Sequence, residues 1–271
     1  MQRMPFPHYY SRQPQRQRGV ALFVVIVFVM LSMLLALWAS RTSMFSEMVV
    51  GNDADYQRAF EAAQALIQDA ELDIRGEKAD GSDCRIPTPT ACRGGRSNVA
   101  QVPLETSEAA VLLADLENIT TGPRCMNGLC LKRTGRQDFW NNASDKADPL
   151  VDFTLAEMTV DTVGARYGQY SGAQLSSDPN EPKGNPILRD QSANNRGGWY
   201  WIEVLPYISD SDKGALISGG PNHLPLNMRP NVVYRITAIA YGRKVRRQAG
   251  VDVPVTMAVL QQTYARQKVK N

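Results

Sequence analysis

The sequence predicts an α+β protein in which a long N-terminal helix, apolar and then amphipathic, packs on an antiparallel sheet. Three observations carry that expectation. Val20 to Ala39 is a 20-residue run without a charge, interrupted only by Ser32. Beyond it, Tyr56, Phe60, Ala63, Ile67, Ala70 and Ile74 recur every three or four residues, the period of one helix face. Towards the C-terminus, Trp199–Leu205, Val232–Tyr241 and Val255–Tyr264 are β-branched and aromatic runs bounded by turn residues.

The chain has 271 residues, 43% hydrophobic and 21% charged, a mix that suits a folded protein. Its net charge of +3 is a poor footprint for nucleic acid, and most of it is local. Residues 1–19 contain Arg3, Arg12, Arg16 and Arg18 and no acid, so the remainder is close to neutral.

The apolar run comes next. A 20-residue helix rises about 30 Å, the thickness of the bilayer's hydrocarbon core. Only a helix spans there as a single segment, because its backbone polar groups are satisfied internally. Basic residues before the run and acids after it predict a cytoplasmic N-terminus and an external C-terminus. Trp38 and Arg41 suit the far interface, one as an aromatic anchor and the other by snorkelling. A cleaved secretory signal fits poorly, since the run is too long and ends Ala36-Leu37-Trp38 rather than in small residues.

From residue 40 to 75 the helix pattern continues, with Asp53, Asp55, Arg58, Glu61, Gln68 and Asp69 assigned to faces other than the apolar one. Gly51-Asn52 reads as a bend. Unbroken, Val20 to Ile74 would span about 80 Å. The rest, residues 76–271, reads as one external globular body. Residues 76–103 form a loop, and Ser107–Glu117 a short helix with Ser107 as N-cap. Val151, Phe153 and Leu155 alternate as in a strand, and 171–198, rich in Ser, Asn, Pro and Gly, reads as a long exposed excursion.

Cys84, Cys92, Cys125 and Cys130 lie on the external side, where oxidation favours disulfides. Four cysteines permit three connectivities. Local pairing, Cys84–Cys92 and Cys125–Cys130, is expected because each pair brackets turn residues: Pro87 and Pro89 in one, Asn127-Gly128 in the other. Zinc, the competing reading, needs tighter spacing and usually histidine, and the chain has only His8 and His223. No phosphate-binding loop, H-E-x-x-H or dinucleotide fingerprint occurs, so no cofactor is expected. Asp210-Ser211-Asp212-Lys213-Gly214 lacks the third ligand position of a calcium loop. Arg243-Lys244-Val245-Arg246-Arg247 reads as a solvated hairpin tip or a docking contact with another subunit. It has no interleaved aromatics for base stacking.

Arg16-Gln17-Arg18-Gly19-Val20-Ala21-Leu22, a basic cluster and one Gly directly before the apolar run, resembles the leader of type IV prepilins. Arg41-Thr42, Met48-Val49-Val50-Gly51-Asn52 and Ala59-Phe60-Glu61-Ala62-Ala63 extend the likeness, which is to the PilX family of minor pilins over residues 16–75. Val233–Ala238 and Ala258–Tyr264 resemble that family's closing strands. The resemblance implies a pilin-like fold and a structural, non-enzymatic role. It implies cleavage after Gly19 by prepilin peptidase and N-methylation of Val20, and an inner-membrane stay before entry into the pilus. Expected partners are other minor pilins, the major pilin and a tip adhesin. Major pilins carry a glutamate at the fifth mature position, where this chain has Val24. Without that carboxylate it makes no pair with the amine of a subunit ahead, which implies a place at or near the tip. A type II secretion tip pseudopilin, which shares this lack, and a membrane-anchored periplasmic enzyme or binding protein are the alternatives.

Overall fold

The computed structural model describes residues 20–84, 92–96, 99–141, 152–173, 184–206 and 232–266. In chain order the helices are α1 (Val20–Arg75), α2 (Thr106–Glu117) and α3 (Leu155–Met158). The strands are β1 (Cys125–Met126), β2 (Leu129–Cys130), β3 (Gly198–Pro206), β4 (Val232–Tyr241), β5 (Val245–Gln248), β6 (Val251–Pro254) and β7 (Met257–Ala265). The leader with Gly19, the Asp210–Gly214 segment and His223 lie outside the described residues. Two compact units divide at Gly51/Asn52.

In the first unit, every described residue from Val20 to Val50 is solvent-exposed. From Val20 to Ala39 that surface is apolar all round, the pattern of a segment made for lipid or for a bundle of like helices. Gly51 and Asn52 are both helical within α1. A glycine costs about 1 kcal/mol relative to alanine in a helix, a penalty that neighbouring helical residues readily carry.

The second unit is built on a five-stranded sheet of order β1-β2-β3-β4-β7. β3, β4 and β7 pair antiparallel over nine residues each, from Gly198↔Ala240 and Tyr241↔Met257 onward. The third strand begins two residues later than expected, because Val255 and Thr256 turn the chain out of β6. β1 and β2 form a two-residue hairpin through Asn127 (φ 53°) and Gly128 (φ 84°), both in the left-handed region that Asn-Gly tolerates. β2 runs parallel to β3, so the sheet is mixed and mostly antiparallel.

β3 is buried along Gly198–Val204 because both sides of the sheet are covered, and Glu203 interrupts its apolar residues. Tyr200, Ile202 and Val204 join one core cluster with Ala59, Ala62, Ala63, Leu66, Ile67, Ala70 and Ile74 of α1. Trp199 and Trp201, pointing the opposite way as strand alternation requires, join Phe139, Phe153, Met158 and Ile239 in a second. Phe139 packs edge-to-face on Trp201 at 5.0 Å between centroids. Four alanines on the α1 face let the helix approach closely. So does Gly198, where a Cβ would lie 2.4 Å from Leu66 Cδ1 and 3.0 Å from the Ile239 carbonyl oxygen.

Four local expectations are corrected. The buried face of α1 is rotated from the predicted stripe: Tyr56 is 43% exposed, while Asp55 and Asp69, assigned to outer faces, are buried with Asp73. The expected strand around Phe153 is instead the short helix α3. Thr154 caps it by accepting from the Glu157 amide, while the Glu157 carboxylate accepts from the Thr154 amide. α2 starts at Thr106, not Ser107, because the Glu108 carboxylate accepts from the amides of Leu104 and Glu105 and places the N-cap at Glu105. Within 171–198, Ile187 and Leu188 are buried in the first core, so that part is not an exposed excursion. Residues 174–183 lie outside the described residues.

Candidate functional site: an apolar stem and a carboxylate-pinned helix

The stem begins at Val20, where α1 opens. No acid lies in its first turn to compensate the positive end of the helix. Val24 is 43% exposed and offers only methyl groups at the position of interest. The two stem hydroxyls whose partners are defined bond inside the helix: Ser32 Oγ donates to the Phe28 carbonyl at 2.7 Å and Thr42 Oγ1 to that of Trp38 at 3.0 Å. Moving them into an apolar surrounding therefore strips away no needed water. Among the described residues, α1 is the one helix long and apolar enough to cross a membrane.

In the second unit three buried aspartates tie α1 to the body. Asp55 accepts from the amides of Arg243 and Lys244 at 3.0 and 3.3 Å, and from the Thr256 hydroxyl. Asp69 accepts from the Gly168 amide at 2.8 Å and from the Ser171 hydroxyl. Asp73 takes both oxygens to Arg93, whose Nε and Nη2 approach to 2.7 Å, and accepts from the Tyr200 hydroxyl at 3.1 Å. Arg93 also lies over the Tyr170 ring, 3.7 Å from its centroid, and donates to the Asn127 carbonyl at 2.8 Å.

The electrostatics differ from site to site. Burial pushes the Asp69 carboxyl up to about 6; the bonds from Ser171 and Gly168 oppose this, and the nearby Asp73 charge adds to it. Burial, helped by the Asp73 charge, pushes the Tyr200 phenol well above its ordinary value, so it stays a donor. On the sheet, Glu203 sits opposite Arg235 and accepts from it and from the Arg133 amide at 2.9 Å and Nη2 at 3.1 Å. Burial pushes the Glu203 carboxyl up, but the Arg235 hydrogen bond and the Arg133 charge outweigh it and hold it below the usual range.

These carboxylates are saturated by donors from remote segments, which suits a clamp more than a reaction centre. Among the described residues, no group of His, Cys, Asp or Glu is placed to hold a metal. The sulfurs of Cys84 and Cys92 are bonded, with Cα atoms 5.9 Å apart, as are those of Cys125 and Cys130 at 4.1 Å. The first ties Cys92, the residue before Arg93, to Cys84. The second staples the β1–β2 hairpin across its Cys125↔Cys130 pair.

The sequence reading missed all three buried aspartates. A signal was present: Asp55, Ala59, Ala62, Leu66, Asp69 and Asp73 share the 4-3-4-3-4 spacing of the true buried face.

Two family models match the chain. One, described as PilX N-terminal, covers residues 18–67. The other, described as type IV pilus assembly protein PilX, C-terminal, covers residues 126–266, more than half the chain. No curated protein and no solved structure matches significantly.

Proposed function

Because the chain belongs to the PilX family of type IV pilus assembly proteins, we propose that it is a minor pilin that primes filament assembly at or near the tip. The observation that carries this reading is the stem: an uncharged apolar helix from Val20 to Ala39, every residue of which is exposed. Prepilin peptidase cuts after Gly19, and Val20 becomes the N-methylated first residue. Residues 20–39 hold the subunit in the inner membrane, residues 40–75 carry the amphipathic helix, and residues 76–271 form the periplasmic body.

Assembly then moves the stem from lipid into a bundle of like helices. Both surroundings are apolar, so the exchange has little hydrophobic cost, and packing between helices drives it. Val24 sets the place. A buried carboxylate without a partner would be costly, and a subunit with none at this position needs no amine ahead of it. Such a subunit fits the leading end of the filament, where it meets the major pilin and other minor pilins and supports a tip adhesin. The disulfides tie down the segment next to Arg93 and the β1–β2 hairpin in the periplasm.

Sequencing the mature N-terminus tests the proposal. Methylated Val20 is expected; recovery of Met1, or a start beyond Ala36, would overturn it. The tip pseudopilin of a secretion system shares the Val24 feature. Deletion separates the two readings: loss of surface fibres and twitching marks the pilus, and loss of exoprotein release marks secretion.

A further inference from the structure

The β5–β6 hairpin adds nothing to either core, yet it is held firmly. All four β5 residues are exposed, as are Val251 and Asp252 of β6. Despite this, the buried Asp55 carboxylate receives the amides of Arg243 and Lys244 at the hairpin's entry and the Thr256 hydroxyl at its exit. Lys244 Nζ reaches Asn52 Oδ1 at 3.2 Å, and Asn195 Nδ2 bonds the Asp252 carbonyl at 3.3 Å. Gly242 is close-packed at the root: a Cβ there would lie 2.2 Å from Asp55 Oδ2. Burying a carboxylate to fix an element that joins neither core points to a use for the element itself.

The hairpin's chemistry is equally one-sided. Arg243, Lys244, Arg246 and Arg247 cluster along it against a single acid, Asp252, which already faces Arg196 at 3.7 Å. Arg246 and Arg247 make no ion pair among the described residues. Beside these cations stand exposed aliphatics: Val245 at 40%, Val251 at 59% and Val255 at 50%. One wall of the hairpin borders a groove of about 540 Å³ lined by Leu155, Tyr241, Val253, Val255 and Met257, with Asn194 and Asn195 at its edge. Arg246 pairs across the strands with Val253 and so shares its face, which sets a cation at the rim of an apolar trough.

We propose that this hairpin and groove form a docking surface for an acidic segment of another pilus subunit, one whose carboxylates flank aliphatic side chains. Charge complementarity selects the acids, which meet Arg246 at the rim, while Arg247 lies on the hairpin's other face opposite Asp252; the trough takes the aliphatics. A concave trough suits inserted side chains and not a flat lipid surface, and the absence of interleaved aromatics removes the stacking platform a single nucleic-acid strand would use. Only the partner's identity as a pilus subunit rests on the function proposed above.

The test uses the full chain in cells that assemble the filament, with a photo-crosslinking amino acid placed at Val251 or at Val255. The expected adduct is a peptide from a different subunit, containing at least two Asp or Glu residues. Its yield should fall at least tenfold in Arg246→Glu and stay within twofold in the control Arg58→Glu. No adduct at either position, an adduct to phospholipid or to a second copy, or a yield unmoved by the charge reversal would each overturn the proposal. Mature N-terminal sequence is read from the same samples. Failure of the stem reading appears there as unprocessed protein, whereas failure of the docking surface leaves processed protein without the adduct.

Discussion

Asp73, near the end of α1, and Arg93, directly after Cys92 of the Cys84–Cys92 disulfide, form a bidentate ion pair whose side chains are only 2% and 3% exposed. The pair joins segments twenty residues apart and anchors the Tyr200 hydroxyl as well. Burying two charges is offset only when geometry and extra hydrogen bonds are complete, as they are here. Asp73→Asn would leave Arg93 buried without its counter-charge and should cost about 3–5 kcal/mol in urea unfolding of the purified protein. The double variant Asp73→Leu/Arg93→Met should recover at least half of that loss. Equal destabilisation of the single and double variants would show that the charges themselves are not the issue.

Asp69 gives a pH signature of defined sign. Its carboxyl titrates at about 6 in the folded body, with burial as the main cause, against the usual value near 3.9 in an unfolded chain. A raised carboxyl favours the folded state when protonated. Its contribution is therefore complete below about pH 4 and is lost as pH rises through 6. The loss is on the order of 1–3 kcal/mol. Asp69→Asn should remove this slope, measured as the difference in unfolding free energy between wild type and variant from pH 4 to 7.5.

Gly198 is a steric requirement of the helix–sheet contact. Gly198→Ala pushes a Cβ against Leu66 and the Ile239 carbonyl and should destabilise by about 1–3 kcal/mol. Combining it with Leu66→Val, which withdraws the nearer obstacle, should cost less than the sum of the two single changes. Thermal melts of the four proteins make the comparison, and strict additivity would contradict it.

The β5–β6 turn carries a correctable strain. Ala249 has φ 49° and Gly250 φ 82°, the left-handed pair that Asn-Gly accepts and alanine does not. Ala249→Asn should stabilise the hairpin by roughly 0.5–1 kcal/mol. Amide exchange in β5 and β6 should slow severalfold while β3 and β4 remain unchanged.

Local patterns were enough for the stem, the three long strands and the turn at Asn127-Gly128, because each is a local signal whose composition alone excludes other states. The Thr154-x-x-Glu157 box was equally local and predicts α3 once seen, but the alternation of Val151, Phe153 and Leu155 competed with it. Asp55, Asp69 and Asp73 were beyond such reading. An aspartate in a helical pattern is ordinarily solvated, and only partners brought from Arg243, Ser171 and Arg93 make burial tolerable.

The sequence by itself determined that this protein carries an apolar helix fit for lipid or a fibre, ahead of a strand-rich body with paired cysteines. Tertiary structure decided which face of that helix meets the sheet, and where the basic hairpin stands. The physical reason lies in range. Hydrophobic period and turn chemistry act within a few residues, whereas a buried carboxylate is settled by donors from segments as much as 200 residues away that only folding assembles.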